Sequence, residues 1–311
     1  MRITQNMMTD RVMTNLWRNM SEMDKLNNEI SSGKKFTNSS DDPSGVLSSM
    51  RLTSAINANQ QFSANIDQGV GLLQTTDGAL QQLGDVLNRV KELAVQGASG
   101  TLDDTARQGI AAEVYQLKEQ VKNIANTDDG GKFVFAGTDF HKQPWDNTAQ
   151  TWVGNGNDVK YQIGEGTSLS VNVPGDTIFT PLLSPSGSSV LDKLIQDLGY
   201  DPNNPTQSNS PPNPPAPNIL NISTQDIANI QDNIDNVLTS RAEVGARVNR
   251  LQMTKDRLTS QATNLQGLLS NAQDIDMAQV ITQLKSQQDT YNASLASAAQ
   301  ILQPSLIDFL K

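Results

Sequence analysis

Apolar residues recur at alternating steps of three and four positions over long parts of the chain. The longest such stripe runs through thirteen positions, eleven of them apolar: Ile227, Ile230, Ile234, Val237, Arg241, Val244, Val248, Leu251, Lys255, Leu258, Ala262, Leu265 and Leu269. This heptad spacing predicts a helix over about 223–271, with Ser223 and Asp226 forming a capping box at its start. A helix of about 70 Å, at 1.5 Å per residue, needs equally long partners.

Two upstream segments carry matching stripes. The first comprises Ile66, Leu73, Leu80, Leu83, Leu87, Val90 and Ala94, and is interrupted by Gly69 and Thr76. The second follows a turn at 97–104 and comprises Ile110, Val114, Leu117, Val121 and Ile124. None of the three segments closes a core by itself, so we expect them to bury their stripes together as an antiparallel bundle.

Each chain end carries a further stripe of the same period. At the N-terminal end it comprises Met13, Leu16, Met20, Met23, Asn27 and Ile30. At the C-terminal end it comprises Met277, Ile281, Leu284, Gln288, Tyr291, Leu295, Ala298 and Leu302. One amide stands in each stripe, Asn27 and Gln288, and a buried amide typically fixes the register or oligomeric state of a coiled coil.

The two end segments are separated from the bundle by breaks at Gly33, at 41–43 and at 273–276. They could pack on the bundle as ordinary helices. We favour pairing with each other and with neighbouring copies, because such separated helices gain their stability from packing rather than from propensity. This reading predicts that the stripes from Met13 to Ile30 and from Leu284 to Leu302 form an assembly seam that folds when copies meet.

The middle of the chain has a different composition. Ten of the 13 Pro lie between Pro174 and Pro217, a range that cannot be one long helix. Alternation at 159–163 and 169–173 around a turn at 164–166 predicts a hairpin, and Phe133–Phe135 and Trp152–Val153 also favour strands. A short helix is expected over 189–199, before a Pro-rich loop at 201–218.

These patterns predict a mainly α fold, an elongated antiparallel helical bundle with terminal coiled-coil helices and an inserted β-rich domain. The predicted segments are an N-terminal coiled-coil segment (1–42), the N-terminal part of the bundle (43–132), the inserted domain with its Pro-rich loop (133–218), the C-terminal bundle helix (219–272) and a C-terminal coiled-coil segment (273–311).

Composition then narrows the function. The net charge of −10 repels phosphate backbones, so we expect no nucleic-acid partner. The chain has no Cys, which excludes thiol nucleophiles and Cys-ligated metal sites. A catalytic triad or a facial metal triad would have to depend on the single histidine, His141. No apolar run is long enough to span a membrane, and the first residues lack a secretory-signal pattern.

Motifs that could carry chemistry have simpler explanations. The stretch 154–158 (GNGND) precedes a strand rather than a helix, so it favours a hairpin turn over a phosphate loop. The stretch 128–131 (DDGG) lacks the ligands of a calcium loop and is expected to end a helix. The paired acids Asp103 and Asp104 fit a helix start. We therefore expect no catalytic site, no metal and no cofactor, and an enzyme is the least favoured class.

Several segments resemble the N-terminal signature of bacterial flagellins, namely EISSGKK at 29–35, SDDP at 40–43, LQTTDGAL at 73–80 and NRVKELAVQ at 88–96. Within that family, KFVFAGT at 132–138, YQIGEG at 161–166 and the two termini are similar to the hook–filament junction branch, the flagellin-like hook-associated proteins. The resemblance covers nearly the whole chain, apart from about 201–218.

The resemblance implies a structural subunit of the extracellular flagellum that assembles between the hook side and the filament. The implied partners are further copies in a ring, a neighbouring hook-associated protein, flagellin, and an export chaperone at the C-terminal segment. It also implies secretion through the flagellar type III export channel. A flagellin proper and a secreted coiled-coil effector remain alternatives.

Overall fold

The computed structural model describes residues 5–184, 188–199 and 217–302, with side chains described from Met7 to Ala299 within these ranges. In chain order the helices are α1 (Gln5–Ser32), α2 (Pro43–Gly97), α3 (Asp104–Ala125), α4 (Asp176–Phe179), α5 (Val190–Asp197), α6 (Ile219–Asn221), α7 (Ile227–Gln273) and α8 (Met277–Leu302). A π-turn, Ile222–Asp226, joins α6 to α7. The predicted mainly α fold is confirmed, with long helices towards both ends of the chain and a small central region that contains strands.

The described residues form two compact units. One comprises residues 5–59 and 260–302, and the other comprises the described residues between Gln60 and Thr259.

In the unit between Gln60 and Thr259, α2, α3 and α7 form the antiparallel bundle that the stripes predict. The predicted positions of α2 from Ile66 to Ala94 are completely buried, and those of α3 and α7 in this unit are buried or half-buried. Between adjacent antiparallel helices, Lys91 on α2 donates to Gln231 on α7 at 2.5 Å. Burial of these stripes in one core is the main stabilising contribution of the unit.

The polar interruptions of these stripes have structural explanations. Arg241 Nε lies 3.0 Å from Asp77 Oδ1, so the first basic residue of the α7 stripe pairs with a carboxylate on α2. Lys255 pairs in the same way with Asp67, with 2.5 Å between Nζ and Oδ1. At Gly69 an added Cβ would lie 2.9 Å from Val171 and 3.5 Å from Leu251. A glycine there allows close packing at the cost of helix propensity.

The central region contains three antiparallel two-stranded ribbons. The strands are β1 (Asp128–Asp129), β2 (Lys132–Phe133), β3 (Trp145–Asp146), β4 (Thr151–Trp152), β5 (Lys160–Gly164) and β6 (Thr167–Ser170), paired β1–β2, β3–β4 and β5–β6. The β5–β6 pair is the predicted hairpin, with Tyr161 opposite Leu169. The other ribbons are only two residues long on each side.

Strand content is lower than the alternation predicts, because apolar residues are buried without joining a ladder. Val134 and Phe135 follow β2 and are fully buried outside any strand. Phe135 contacts Phe179 edge-on at 4.9 Å between ring centroids, and Trp152 stacks on the same Phe179 ring at 5.5 Å. The centre of this region is therefore an aromatic cluster flanked by short ribbons.

The predicted start of α7 is wrong. Ser223 does not cap the helix, because it lies inside the π-turn and its hydroxyl donates to the carbonyl of Leu220 at 3.1 Å. The chain becomes helical earlier, at α6, where Asn218 accepts a hydrogen bond from the backbone N–H of Asn221 at 3.2 Å. Asp226 is buried against α5 instead of completing a capping box.

In the unit of residues 5–59 and 260–302, the break after α1 is tied to the break between α7 and α8. Gly33 ends α1 with a φ of 71°, a conformation that favours glycine. Lys35 N donates to the Gln273 carbonyl at 2.7 Å, and Ile275 N donates to the Gly33 carbonyl at 3.2 Å. The predicted breaks at Gly33 and at 273–276 are therefore present, and hydrogen bonds join them.

The predicted Pro-rich loop at 201–218 lies outside the described residues except for Pro217 and Asn218. Among the helices that the structure describes, none combines the length and the apolar character needed to cross a bilayer.

Candidate assembly surface

Helices α1 and α8 pack against each other in antiparallel orientation. On α1 the inward positions are Val12, Leu16, Asn19, Met23, Leu26 and Ile30. On α8 they are Val280, Leu284, Gln287, Tyr291, Ser294 and Ala298. Among the described side chains of these two helices, only Leu26, Val280 and Ala298 are buried, and the other inward side chains keep part of their surface exposed. The pair has a contact face without a closed core.

Amide side chains hydrogen-bond across this contact, but they are not the two amides of the predicted stripes. Gln287 Nε2 donates to Asn19 Oδ1 at 3.4 Å, which links the two helices near their middles. Asn27 and Gln288, the amides of the predicted stripes, are both exposed. Any register-fixing role inside this helix pair therefore falls to Asn19 and Gln287.

The stripe of α8 that faces α1 is not the more apolar one. The stripe that the sequence predicts shares Leu284, Tyr291 and Ala298 with the face towards α1. Its other positions in this part of the helix, Ile281, Gln288 and Leu295, are exposed. Ile281 is 49% exposed and Leu295 is 42% exposed, whereas the corresponding inward positions include the polar Gln287 and Ser294. Large apolar side chains that follow one helical stripe and stay exposed are typical of an interaction surface.

Helix α1 has a similar exposed face. Trp17 is 62% exposed, although tryptophan is among the side chains with the most apolar area to bury. Met13 and Met20 lie four residues before and three residues after it and are also exposed. These three residues form one continuous apolar patch along α1, because positions three and four apart share a helix face.

The predicted seam residues thus fall into two sets. The inward face of the α1–α8 pair holds Leu16, Met23, Ile30, Leu284, Tyr291 and Ala298. The outward faces hold Met13, Met20, Asn27, Gln288 and Leu295. The side chain of Leu302 lies outside the described residues. The predicted seam leaves out three residues. Leu26 and Val280 lie on the inward faces, and Trp17 lies in the α1 patch.

Acidic side chains position the helices next to this surface. Asp276 Oδ1 accepts hydrogen bonds from the backbone N–H groups of Ala278 at 3.0 Å and Gln279 at 3.2 Å, at the start of α8. At the start of α2, hydrogen bonds from the backbone of Gly45 and from Ser44 lower the pKa of Asp42 below its ordinary value. Both carboxylates accept from N–H groups that have no partner within the helix.

The two other candidate motifs differ from the predictions. Residues 154–158 form an irregular connection and not the predicted hairpin turn, because β4 pairs with β3 and β5 pairs with β6. Asn155 Oδ1 accepts from the backbone N–H of Thr138 at 3.0 Å. Residues 128–131 form the β1–β2 hairpin, with Gly130 and Gly131 at positive φ. The helix-ending turn expected there is wrong, since α3 has already ended at Ala125.

The remaining residues considered for chemistry are His141 and the acids at the start of α3. His141 is exposed in a turn between β2 and β3. Within residues 5–184, 188–199 and 217–302, no three His, Cys, Asp or Glu side chains lie together in a group that could hold a metal ion. Asp103 caps α3 by accepting from the backbone N–H of Ala106 at 3.0 Å, as a helix-start acid should.

Several known proteins are similar to this chain. Flagellar hook-associated protein 3 of Escherichia coli is 26% identical, with all of both chains covered. Flagellin of Bacillus subtilis is 28% identical, with 96% of each chain covered. The crystal structure of Xanthomonas campestris FlgL superposes with a TM-score of 0.58 at 19% identity, covering 70% of this chain and 99% of that one, which shows a common fold.

Two sequence families also match. Residues 3–139 match the bacterial flagellin N-terminal helical region, and residues 227–310 match the bacterial flagellin C-terminal helical region. Together these regions include the bundle helices and both terminal helices. The chain belongs to the bacterial flagellin family.

Proposed function

We propose that this protein is the structural subunit that joins the hook-associated proteins to the flagellin filament of the bacterial flagellum. A relative named flagellar hook-associated protein 3 matches over its whole length, which supports the junction assignment within the family. The observation that carries the assembly role is the exposed apolar face of α1 and α8. Leu295, Ile281 and Trp17 have no reason to stay exposed unless another molecule covers them.

Assembly completes the packing of the terminal helices. Three buried side chains are too few to offset the entropy of ordering two helices of 28 and 26 residues. The α1–α8 pair is therefore only marginally stable in a single chain. It becomes stable when neighbouring copies cover the outward stripes, so folding of the chain ends is coupled to assembly.

The partners proposed here are those that the family resemblance implies. Copies of the chain pack side by side in a ring, with a hook-associated protein on one side and flagellin on the other. Before assembly, an export chaperone binds the C-terminal segment, and the subunit leaves the cell through the flagellar export channel to the extracellular flagellum. The chain works as a structural element and not as an enzyme, since its exposed features are packing surfaces.

A filament subunit is the second candidate, because a flagellin matches at a similar identity. Deletion of the gene in the native bacterium distinguishes the two. A junction subunit predicts that hooks remain, filaments are absent and flagellin accumulates in the medium. A filament subunit predicts hooks without filaments and no released flagellin, and normal motility would indicate a secreted effector instead.

Purified protein gives an independent comparison. A junction subunit adds to isolated hook ends and then stops, whereas a flagellin grows into long filaments. Electron microscopy of hooks incubated with the full chain therefore separates the two functions. Long filaments made of this protein alone would overturn the junction assignment.

A further inference from the structure

A second feature of the structure lies in the unit between Gln60 and Thr259. Asp226, at the end of the π-turn before α7, is only 2% exposed. Its Oδ2 atom is shielded from solvent and has no hydrogen-bond partner in the described part of the chain. A buried carboxylate oxygen without a protein donor is unfavourable when charged, so burial favours the protonated form of Asp226.

Asp197, at the end of α5, is the acidic group whose charge acts on Asp226. The two residues line one cavity, and a side-chain hydrogen bond to Asp197 is among the causes that raise the pKa of Asp226. The Asp197 carbonyl also accepts from Asn218 N at 2.9 Å, which holds the end of α5 beside the helix that leads into the π-turn. Two carboxyl groups that share such a site cannot both be ionised at low cost, so a single proton between them satisfies both.

One further charged group faces this pair. Lys193, on α5, lines the same cavity of about 300 Å³ as Asp197 and Asp226. Burial raises the pKa of Asp226 to about 7, with the charge of Asp197 and its hydrogen bond adding to the effect and Lys193 opposing it. Protonation of Asp226 therefore changes near neutral pH.

The surroundings favour a proton over a metal ion. The cavity offers two carboxyl groups, and the ammonium of Lys193 faces the same space. Divalent cations are usually held by more carboxylate and carbonyl oxygens, without a competing ammonium group. Amide side chains, including Gln225 and Asn229, complete the lining.

We propose that Asp197 and Asp226 share one proton that fastens α5 to the π-turn, and that loss of this proton to the solvent releases α5. The contact between α5 and the π-turn is then a proton-sensitive latch beside the start of α7. In the protonated state one carboxyl donates and the other accepts. In the deprotonated state two negative charges face each other in a poorly solvated site, and the contact opens.

The sign of the pH effect follows from proton binding. An exposed Asp has a pKa of 3.8, and in the closed state the value for Asp226 is about 7. The closed state therefore holds more protons than the open state between these values, so its stability falls as the pH rises from 3.8 and levels off above 7. Between pH 5.5 and 8.5 the opening constant should rise about thirty-fold, at tenfold per pH unit below the closed-state pKa.

Hydrogen exchange of the full chain measures this opening. We expect amides of α5 and the π-turn, corrected for intrinsic exchange, to lose about thirty-fold protection between pH 5.5 and 8.5. In Asp226→Asn the amide keeps a donor towards Asp197 at every pH, so the dependence should disappear. Asp232→Asn removes an exposed carboxylate from α7 and is the matched control, for which the wild-type dependence should remain.

Three results would overturn the latch. Protection of α5 in the wild type that is equal at pH 5.5 and 8.5 would do so, and so would a pH response that persists in Asp226→Asn. Restoration of protection at pH 8.5 by 5 mM calcium chloride would identify a cation site instead. If Asp226→Asn does not fold, a carbon-13 NMR titration of the aspartate carboxyl groups in the wild type decides, with a midpoint near 7 expected and a midpoint near 4 contradicting the proposal.

Discussion

Leu295 offers a sharp test of which face of α8 joins the subunits. It lies on the outward stripe and is 42% exposed in the single chain. Fully burying a leucine contributes about 1.5–3 kcal/mol, so the part of Leu295 that remains exposed can contribute about 1 kcal/mol when a neighbour covers it. Leu295→Asp removes this contribution and also places a charge in the contact.

The charge adds the larger part of the effect. Burying an unpaired carboxylate costs several kcal/mol, even after local relaxation. The total loss per contact is about 4 kcal/mol, or roughly a thousand-fold in affinity at 1.4 kcal/mol per tenfold. In the single chain the same side chain points outward, so the substitution should change the free energy of unfolding by less than about 1 kcal/mol.

The assay compares incorporation with folding. In a strain that lacks the native gene, we expect Leu295→Asp protein to be exported but not retained on hooks, while circular dichroism of the purified chain stays close to the wild type. Ser297→Asp places the same charge at an exposed polar position of the same helix and should assemble. Normal incorporation of Leu295→Asp, or equal loss with Ser297→Asp, would refute the assignment of this face.

Three further predictions concern stability. Leu80→Ala, in the completely buried stripe of α2, should lower the free energy of unfolding by about 3 kcal/mol in a denaturant titration, whereas Met253→Ala, at an exposed position, should change it by less than about 0.5 kcal/mol. Asp77→Asn breaks the ion pair with Arg241, in which Asp77 raises the pKa of Arg241. Because the pair is partly exposed, the substitution should lower the free energy of unfolding by less than about 1 kcal/mol, and by less still in high salt. The pKa of Asp42 is lowered in the folded chain, so its stabilisation of the start of α2 is fully present above pH 3.8 and is lost as the pH falls through the folded-state pKa. Amides of the first turn should therefore lose protection from hydrogen exchange in acid in the wild type but not in Asp42→Asn.

The bundle could be predicted from sequence because its stripes are long and unambiguous. The α2 stripe from Ile66 to Ala94 is apolar at almost every step, and only one face of the helix satisfies it. Gly69 and the basic residues Arg241 and Lys255 interrupt the stripes. Their roles depend on residues from other helices that approach them, which local spacing does not contain.

The contact face of the terminal helices could not be chosen from sequence. Helix α8 has two possible stripes, which share Leu284, Tyr291 and Ala298 and differ by one residue at the positions between them. Either stripe satisfies the helical period. The more apolar alternative, with Ile281 and Leu295, is the natural choice by sequence, yet the structure turns the other stripe towards α1. Periodicity identifies a helix face that will be buried somewhere, but it does not say which molecule buries it.

The predicted start of α7 was wrong for a related reason. Ser223 and Asp226 have the spacing of a capping box, and the sequence contains no local signal against it. The arrangement is decided by α5, which packs against the π-turn and buries Asp226 beside Asp197. A contact between segments that are distant in sequence thus overrides the local motif.

The central claim is that α1 and α8 become stable only when neighbouring copies cover them. Hydrogen exchange followed by mass spectrometry, on the same protein as a dilute monomer and after assembly on hooks, tests it directly. We predict rapid exchange over 5–32 and 277–302 in the monomer, slow exchange over 66–94 in both states, and strong protection of the two terminal segments after assembly. Terminal helices as protected in the dilute monomer as the bundle helices would contradict the account.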